Sequence, residues 1–164
     1  MERKYILTPE VAARKIRRLA YEIAERNAGA KHLVLAGIYE NGYLLAQLLT
    51  AELQLVSDMQ VELVCIRLDK RNPRTVTLDH DIVIDDRIII VVDDVASSGK
   101  TMLYALQPFL KAHPLGIQTL ALVERTHKLF PVQPDYVGLS VATTIEDHII
   151  VQMEAGRVAG AWLE

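Results

Sequence analysis

Ile88-Ile89-Ile90-Val91-Val92-Asp93-Asp94-Val95-Ala96-Ser97-Ser98-Gly99-Lys100-Thr101 is the stretch whose reading decides the fold. Five apolar β-branched residues in succession read as a strand covered on both faces. Two adjacent carboxylates follow. Asp93 to Lys100 then reads as a loop, and Thr101 to about Ala112 as a helix with a kink at Pro108. In α/β sheets the carboxyl edge of the strands is where ligands bind. A helix start there offers free amides and partial positive charge, Gly99 allows close backbone approach, and Ser97, Ser98 and Thr101 add hydroxyl donors. Together these suit a phosphate group. Neighbouring side chains on a strand point to opposite faces, so Asp93 and Asp94 make a poor proton-sharing pair. They are better suited to grip two hydroxyls of a sugar whose phosphate lies in the loop.

Two common phosphate loops do not fit. Ser98-Gly99-Lys100-Thr101 matches the end of a P-loop, but that motif needs glycine five residues before Gly99, where this chain has Asp94. The three spaced glycines of a dinucleotide-binding turn are absent as well.

On the amino-terminal side, Thr8-Pro9-Glu10 is a helix start, with a hydroxyl cap, proline in the first turn and an acid beside it. Ala12, Ile16, Leu19, Ala20 and Ile23 share one face of that helix, which Asn27-Ala28-Gly29 ends. His32 to Ala36 reads as a buried strand, Gly37 to Gly42 as a turn, and Leu44, Leu45, Leu48, Leu49 and Leu53 as the apolar positions of a second helix. Val61 to Arg67 is another strand. The polar segment 68–80 is the best candidate for a mobile loop, and Ile82-Val83-Ile84 reads as a short strand.

On the carboxyl-terminal side, Ile117 to Val123 is a buried strand, and Asp135 to Val141, His148 to Met153 and Arg157 to Trp162 are strands without helices between them. Alternating strands and helices argue for an α/β fold, a central parallel sheet with helices on both faces. The last forty or so residues, from about 124, supply the final strand and a small appended lobe. We expect one domain over residues 1–164, since 164 residues bury a core without disulfides or metal.

Composition narrows the function class. The chain is 51% hydrophobic and 24% charged, with a formal net charge of −3. This excludes disordered and collagen-like chains. No apolar run approaches the roughly 18 residues of a membrane span, and the start, Met1-Glu2-Arg3-Lys4-Tyr5, has no signal-peptide apolar core. A cytoplasmic protein without membrane contact is the expectation. Cys65, the single cysteine, excludes an intramolecular disulfide and reads as a core residue. His32, His80, His113 and His148 have no partner at metal-ligand spacing. Residues 1–18 hold six basic and two acidic side chains, leaving twelve basic and nineteen acidic in the remainder. That asymmetry permits an anionic partner at the first helix, although a solvated or subunit-contact face is the commoner use of such charge.

The apolar run, Asp-Asp, three variable residues, hydroxyl, Gly, basic residue and Thr of 88–101 resemble the phosphoribosyl-pyrophosphate signature of type I phosphoribosyltransferases. Within these the chain is similar to the bifunctional pyrimidine-operon attenuation regulators that are also uracil phosphoribosyltransferases. The likeness also rests on Ala20-Tyr21-Glu22-Ile23, Glu25-Arg26-Asn27, the turn 37–42, Leu122-Val123-Glu124-Arg125-Thr126-His127 and Asp135-Tyr136-Val137-Gly138.

The resemblance implies transfer of ribose 5-phosphate from phosphoribosyl pyrophosphate to a pyrimidine, uracil first, giving UMP and pyrophosphate. It implies that Asp93 and Asp94 bind the ribose hydroxyls, and that Ala96, Ser97, Ser98, Gly99, Lys100 and Thr101 bind the 5′-phosphate. Gly37, Ile38, Tyr39, Glu40, Asn41 and Gly42 would line the pyrophosphate with Arg67 nearby, and 68–80 would close over the site. A carboxyl-terminal hood would bring Arg125 and His127 to the base. Mg²⁺ would arrive on the pyrophosphate, touching Asp93 and Asp94 through water at most. A homodimer or larger assembly is also implied. So is an alternative role as a nucleotide-sensing, RNA-binding regulator with weak or no turnover.

The chain departs from the family pattern at Glu40-Asn41, where the family has Thr-Arg. Arg17 and Tyr21 stand where the regulators have Thr and His, and Glu124 and Thr126 where they have Asp and Gly. Read from the residues alone, 37–42 is equally a plain strand-to-helix turn, and Arg125 and His127 are equally surface residues.

Overall fold

The computed structural model describes residues 3–164; Met1 and Glu2, part of the expected domain and of the expected leaderless start, lie outside the described residues. In chain order the elements are β1 (Lys4–Leu7), α1 (Pro9–Arg26), β2 (His32–Ile38), α2 (Asn41–Val56), β3 (Gln60–Arg67), β4 (Thr77–Leu78), β5 (Ile88–Ala96), α3 (Lys100–Ala105), α4 (Gln107–Leu110), β6 (Gly116–Arg125), β7 (Tyr136–Val141), β8 (Ile149–Glu154) and β9 (Arg157–Leu163). A six-stranded sheet runs β4-β3-β2-β5-β6-β7, and a three-stranded sheet runs β1-β9-β8. All neighbours in the large sheet are parallel except the β3–β4 edge pair, and the small sheet is antiparallel.

The apolar run at Ile88 to Val92 has the cause its sequence suggests. Ile90 and Val92 join a cluster with Ile16, Leu19 and Ile23 of α1 and Leu45, Leu49 and Leu53 of α2. Ile89 and Val91 join a second cluster with Met102 and Ala105 of α3 and Phe109 of α4. A strand packed by helices on both faces has no polar face to present, so its apolar residues do not alternate.

Helix α1 starts as its cap residues dictate: Val11 N–H donates to Thr8 Oγ1 at 3.3 Å and Pro9 sits in the first turn. It ends at Asn27, whose buried side-chain amide donates to Ile23 O, Gln118 Oε1 and Tyr136 Oη. The expected kink at Pro108 is a break, with α3 ending at Ala105 and Pro108 in the first turn of α4.

Three expectations are corrected. Strand β5 does not stop at Val92; it runs through Ala96, because β6 keeps pairing with it at Asp93, Val95 and Ala96. The carboxylates therefore lie within the sheet ladder and not in a loop beyond it. Ile82-Val83-Ile84 is irregular, and Ile82 and Ile84 pack on the second cluster without a strand partner. The short antiparallel strand is Thr77–Leu78 instead, which carves a piece out of the expected loop 68–80. The hood also draws on both ends of the chain: Lys4 pairs with Leu163 and Tyr5 with Trp162, so 124–164 alone does not build it.

Candidate active site

The carboxyl end of β5 meets the start of α2, and two glycines make that approach possible. A Cβ on Gly42 would lie 2.5 Å from Val92 O and 3.1 Å from Asp93 Cα, and one on Gly37 would lie 2.4 Å from Tyr43 Cα. Any side chain at either position would force the helix off the strand ends. With α2 seated there, Asn41 donates through Nδ2 to Asp94 Oδ2 at 2.9 Å and to Val151 O of the hood at 3.0 Å. One amide thus joins the β5 carboxylate, the α2 start and the small sheet.

Asp93 and Asp94 are both buried. Asp94 N–H donates to Asp93 Oδ1 at 2.9 Å, and Val95 N–H to Asp94 Oδ1 at 2.9 Å. Strand alternation predicts that the two diverge, yet both converge on one cation. Lys70 Nζ lies 3.3 Å from Asp93 Oδ1 and 4.0 Å from Asp94 Oδ1. Burial holds the Asp93 carboxyl well above the ordinary aspartate range, the adjacent Asp94 charge pushes it further, and Lys70 opposes both.

A cleft of about 270 Å³ opens over this pair, lined by Asp93, Asp94, Val95 to Gly99, Thr101, Met102, Lys70 and Ile149. Gly99 takes the left-handed conformation, φ +85°, that turns the chain into α3. Ser98 Oγ accepts from Lys100 N–H at 3.2 Å, and Ser98 O accepts from the N–H groups of Leu129 and Phe130, both at 3.0 Å. The loop after β6 therefore braces the Ser/Gly loop from the hood side. Lys100 is not among the cleft-lining residues.

The turn 37–42 lies beside this cleft. Its Tyr39–Glu40 peptide bond is cis, and Tyr39 N–H donates to Ile66 O of β3 at 2.9 Å. Tyr39 and Glu40 are exposed, and the Arg67 guanidinium carbon lies 4.7 Å from the centre of the Tyr39 ring. Arg67 is thus positioned at the turn, as its place at the end of β3 suggested, but it makes no contact with the carboxylates.

In the hood, Arg125 donates to Asp147 O while its Nε is buried with no partner among the described residues, and so is Thr143 Oγ1. His127 is exposed. Glu124 is buried and accepts from Ser140 Oγ at 2.7 Å and from Lys128 Nζ at 3.0 Å. Sequence reasoning missed Lys128, Asn41 as the bridge to Asp94, and Ile149 at the cleft. Only the i,i+4 spacing of Glu124 and Lys128 left a trace. Among the described residues, no three His, Cys, Asp or Glu side chains converge to hold a metal, and the two carboxylates present face an ammonium.

Comparison with known proteins supplies the family. The family model described as phosphoribosyl transferase domain matches residues 4–155. The chain belongs to this phosphoribosyltransferase family. Its curated relatives include "Bifunctional protein PyrR" of Lactococcus lactis subsp. cremoris, 34% identical over 93% of this chain and 91% of the relative. The protein of the same name from Enterococcus faecalis is 31% identical over 94% and 92%. Among solved structures, the hypoxanthine phosphoribosyltransferase of Trypanosoma cruzi superposes with a TM-score of 0.81 at 18% identity, covering 98% of this chain and 97% of that one. The hypoxanthine-guanine phosphoribosyltransferase of Bacillus anthracis gives 0.73 at 19% identity, covering 98% and 99%. The relatives and the fold identify a type I phosphoribosyltransferase of the PyrR kind, with the central sheet, flanking helices and hood of that class.

Proposed function

We propose that this phosphoribosyltransferase joins ribose 5-phosphate to a pyrimidine, uracil first. Asp93 and Asp94 hold the ribose hydroxyls, residues 96–101 the 5′-phosphate, and the turn 37–42 with Arg67 the pyrophosphate. The observation that carries the reading is the paired buried carboxylates within one cleft with the Ser/Gly/Thr loop. The bond from the sugar's first carbon to pyrophosphate breaks with its electron pair leaving on pyrophosphate. The pyrimidine nitrogen forms the new bond and gives its proton to solvent. Carboxylates fixed beneath the sugar favour the positive charge that develops on it, and positioning supplies much of the rest.

Mg²⁺ fits as a hydrated ion carried in on the pyrophosphate, whose charge it would neutralise, because two carboxylates form no cage for it. Arg125 and His127 belong to the base end, and the buried, unpartnered Arg125 Nε favours Arg125 of the two.

The pyrimidine is favoured by relatives named "Pyrimidine operon regulatory protein". The structural neighbours carry hypoxanthine in their names, which makes it the control base. Purified protein given phosphoribosyl pyrophosphate, Mg²⁺ and radiolabelled base is expected to form UMP with at least a ~10-fold preference over IMP. Preference for hypoxanthine, or no UMP at high enzyme concentration, overturns the proposal.

The same relatives' names favour a second, regulatory role, and the sequence resemblance adds RNA as its ligand. Arg14 and Lys15 on α1 are available for RNA, whereas Arg17 is paired with Glu52, and Arg18 with Glu22 and the carbonyls of Val137 and Gly138. Gel retardation of a pyrimidine-operon leader with and without UMP tests it, and absence of a UMP-dependent, salt-sensitive shift counts against it. Among the described residues no helix is long and apolar enough to cross a membrane. A cytoplasmic homo-oligomer is the setting we propose.

A further inference from the structure

In the proposed reaction the β5 carboxylates receive two sugar hydroxyls, and in this structure a cation of the chain itself stands in that place. Lys70 Nζ lies 3.3 and 3.5 Å from the two oxygens of Asp93 and 4.0 Å from Asp94 Oδ1. The partners are unequal: the Asp93 side chain is 2% exposed and that of Lys70 45%. The carboxylate is fixed in the sheet, and the ammonium arrives from solvent on a short arm.

The arm is anchored to the fold at its ends and hydrogen-bonded to itself between them. Leu68 and Val76 at its two ends pack on the second apolar cluster. Between them, Arg71 N–H donates to Asp69 Oδ1 at 2.9 Å and Asn72 N–H to Asp69 O at 3.1 Å, bonds internal to the arm. Asp69, Arg71, Asn72, Arg74 and Thr75 are exposed, and Pro73 is buried. Arg67, at the root of the arm, lies against Tyr39 of the turn assigned to pyrophosphate.

We infer that Lys70 is an exchangeable counter-ion. It neutralises Asp93 and Asp94 while the sugar site is empty, gives them up to the ribose hydroxyls, and transfers to the pyrophosphate that arrives with the same substrate. This rests on the ribose assignment of Asp93 and Asp94. Before exchange, the ammonium offsets the repulsion between two adjacent buried carboxylates. After exchange, hydroxyl donors satisfy the carboxylates, and the cation meets the anion on which negative charge accumulates as the bond to the sugar breaks. It also supplies positive charge on the pyrophosphate side, where the turn 37–42 carries an acid, Glu40, and no cation of its own. Removing Lys70 therefore has opposite effects on the two halves of the substrate, which a purely structural lysine would not produce.

Isothermal titration of Lys70→Met and Lys70→Arg with ribose 5-phosphate alone, and with Mg-pyrophosphate in saturating ribose 5-phosphate, tests the exchange. Lys70→Met is expected to bind ribose 5-phosphate about 3- to 10-fold tighter and pyrophosphate about 10-fold more weakly. Lys70→Arg is expected to restore pyrophosphate binding to within about threefold of the parent protein. Unchanged or weaker binding of ribose 5-phosphate by Lys70→Met overturns the inference. Asp94→Asn separates the two levels of the argument. If it binds ribose 5-phosphate as the parent does, the ribose assignment fails and the exchange with it. If it loses that binding while Lys70→Met is unaltered, the assignment stands and the exchange alone is overturned.

Discussion

At one edge of the sheet, β2 turns into α2 through Tyr39 and Glu40, and β5 turns into α3 through Ser97, Ser98 and Gly99. In the first turn the constraint is steric: Gly37 and Gly42 are small because backbone atoms lie within 2.4 to 2.5 Å of where a Cβ would be, while Tyr39 and Glu40 face outward. In the second the constraint is chemical. Hydroxyls, a left-handed glycine and two buried carboxylates surround a cleft, and the hood loop holds the Ser98 carbonyl in place. A turn held by close packing keeps its shape when its exposed side chains change. A turn whose side chains are themselves the site does not. That difference explains how Glu40 can stand at the turn proposed for pyrophosphate with the architecture intact.

The strongest way to break the comparison is at the second turn. Asp94→Ala removes the acceptor of Asn41 and of the proposed ribose hydroxyl, so kcat/KM for UMP formation should fall about 10²- to 10³-fold with the far-ultraviolet spectrum unchanged. At the first turn the expected damage is to stability. Gly42→Ala should cost about 1–3 kcal/mol in urea unfolding because Val92 O and Asp93 Cα must move, whereas Gly116→Ala, with open space around its Cβ, should be nearly neutral. Glu40→Arg should do the reverse. It should lower the KM for phosphoribosyl pyrophosphate about 10-fold, with a stability change within about 0.5 kcal/mol, since the residue is exposed.

The smallest effect sharpens the cost of the second turn. Burial and Asp94 raise the Asp93 pKa, so the folded chain holds a proton more tightly than the unfolded one. The stability from this is complete below the unfolded aspartate range and is lost as pH rises through the raised value. Asp93→Asn does not titrate. It should therefore gain in Tm on the parent protein across a pH series that rises through that window, while losing turnover. No relative gain across the series would show that Lys70 and the local amides fully compensate the buried charge.

The β5 segment was legible because one contiguous run carries the strand, the carboxylates and the loop. What stayed hidden depends on distant partners. Whether a strand ends at Val92 or Ala96 is set by β6 alongside it, and the alternation of Ile82 and Ile84 serves packing in a place where β4 already covers the β3 edge. Lys70, Arg71 and Arg74 look equivalent in sequence; only the path of the arm selects the one that reaches Asp93. Strand β1 has four residues, and its partner is at the far end of the chain, so no local pattern announces it.

That pairing ties the two ends of the chain together in the hood. Joining Lys4 to Leu163 closes a loop almost as long as the chain, secured at one end by a strand whose first two residues are exposed. Native-state hydrogen exchange should find the β1 amides opening at lower free energy than those of β5. On the proposed assignment, the base end of the cleft would then breathe while the sugar end stays closed, and a protection gradient across the molecule would set the order in which ligands leave.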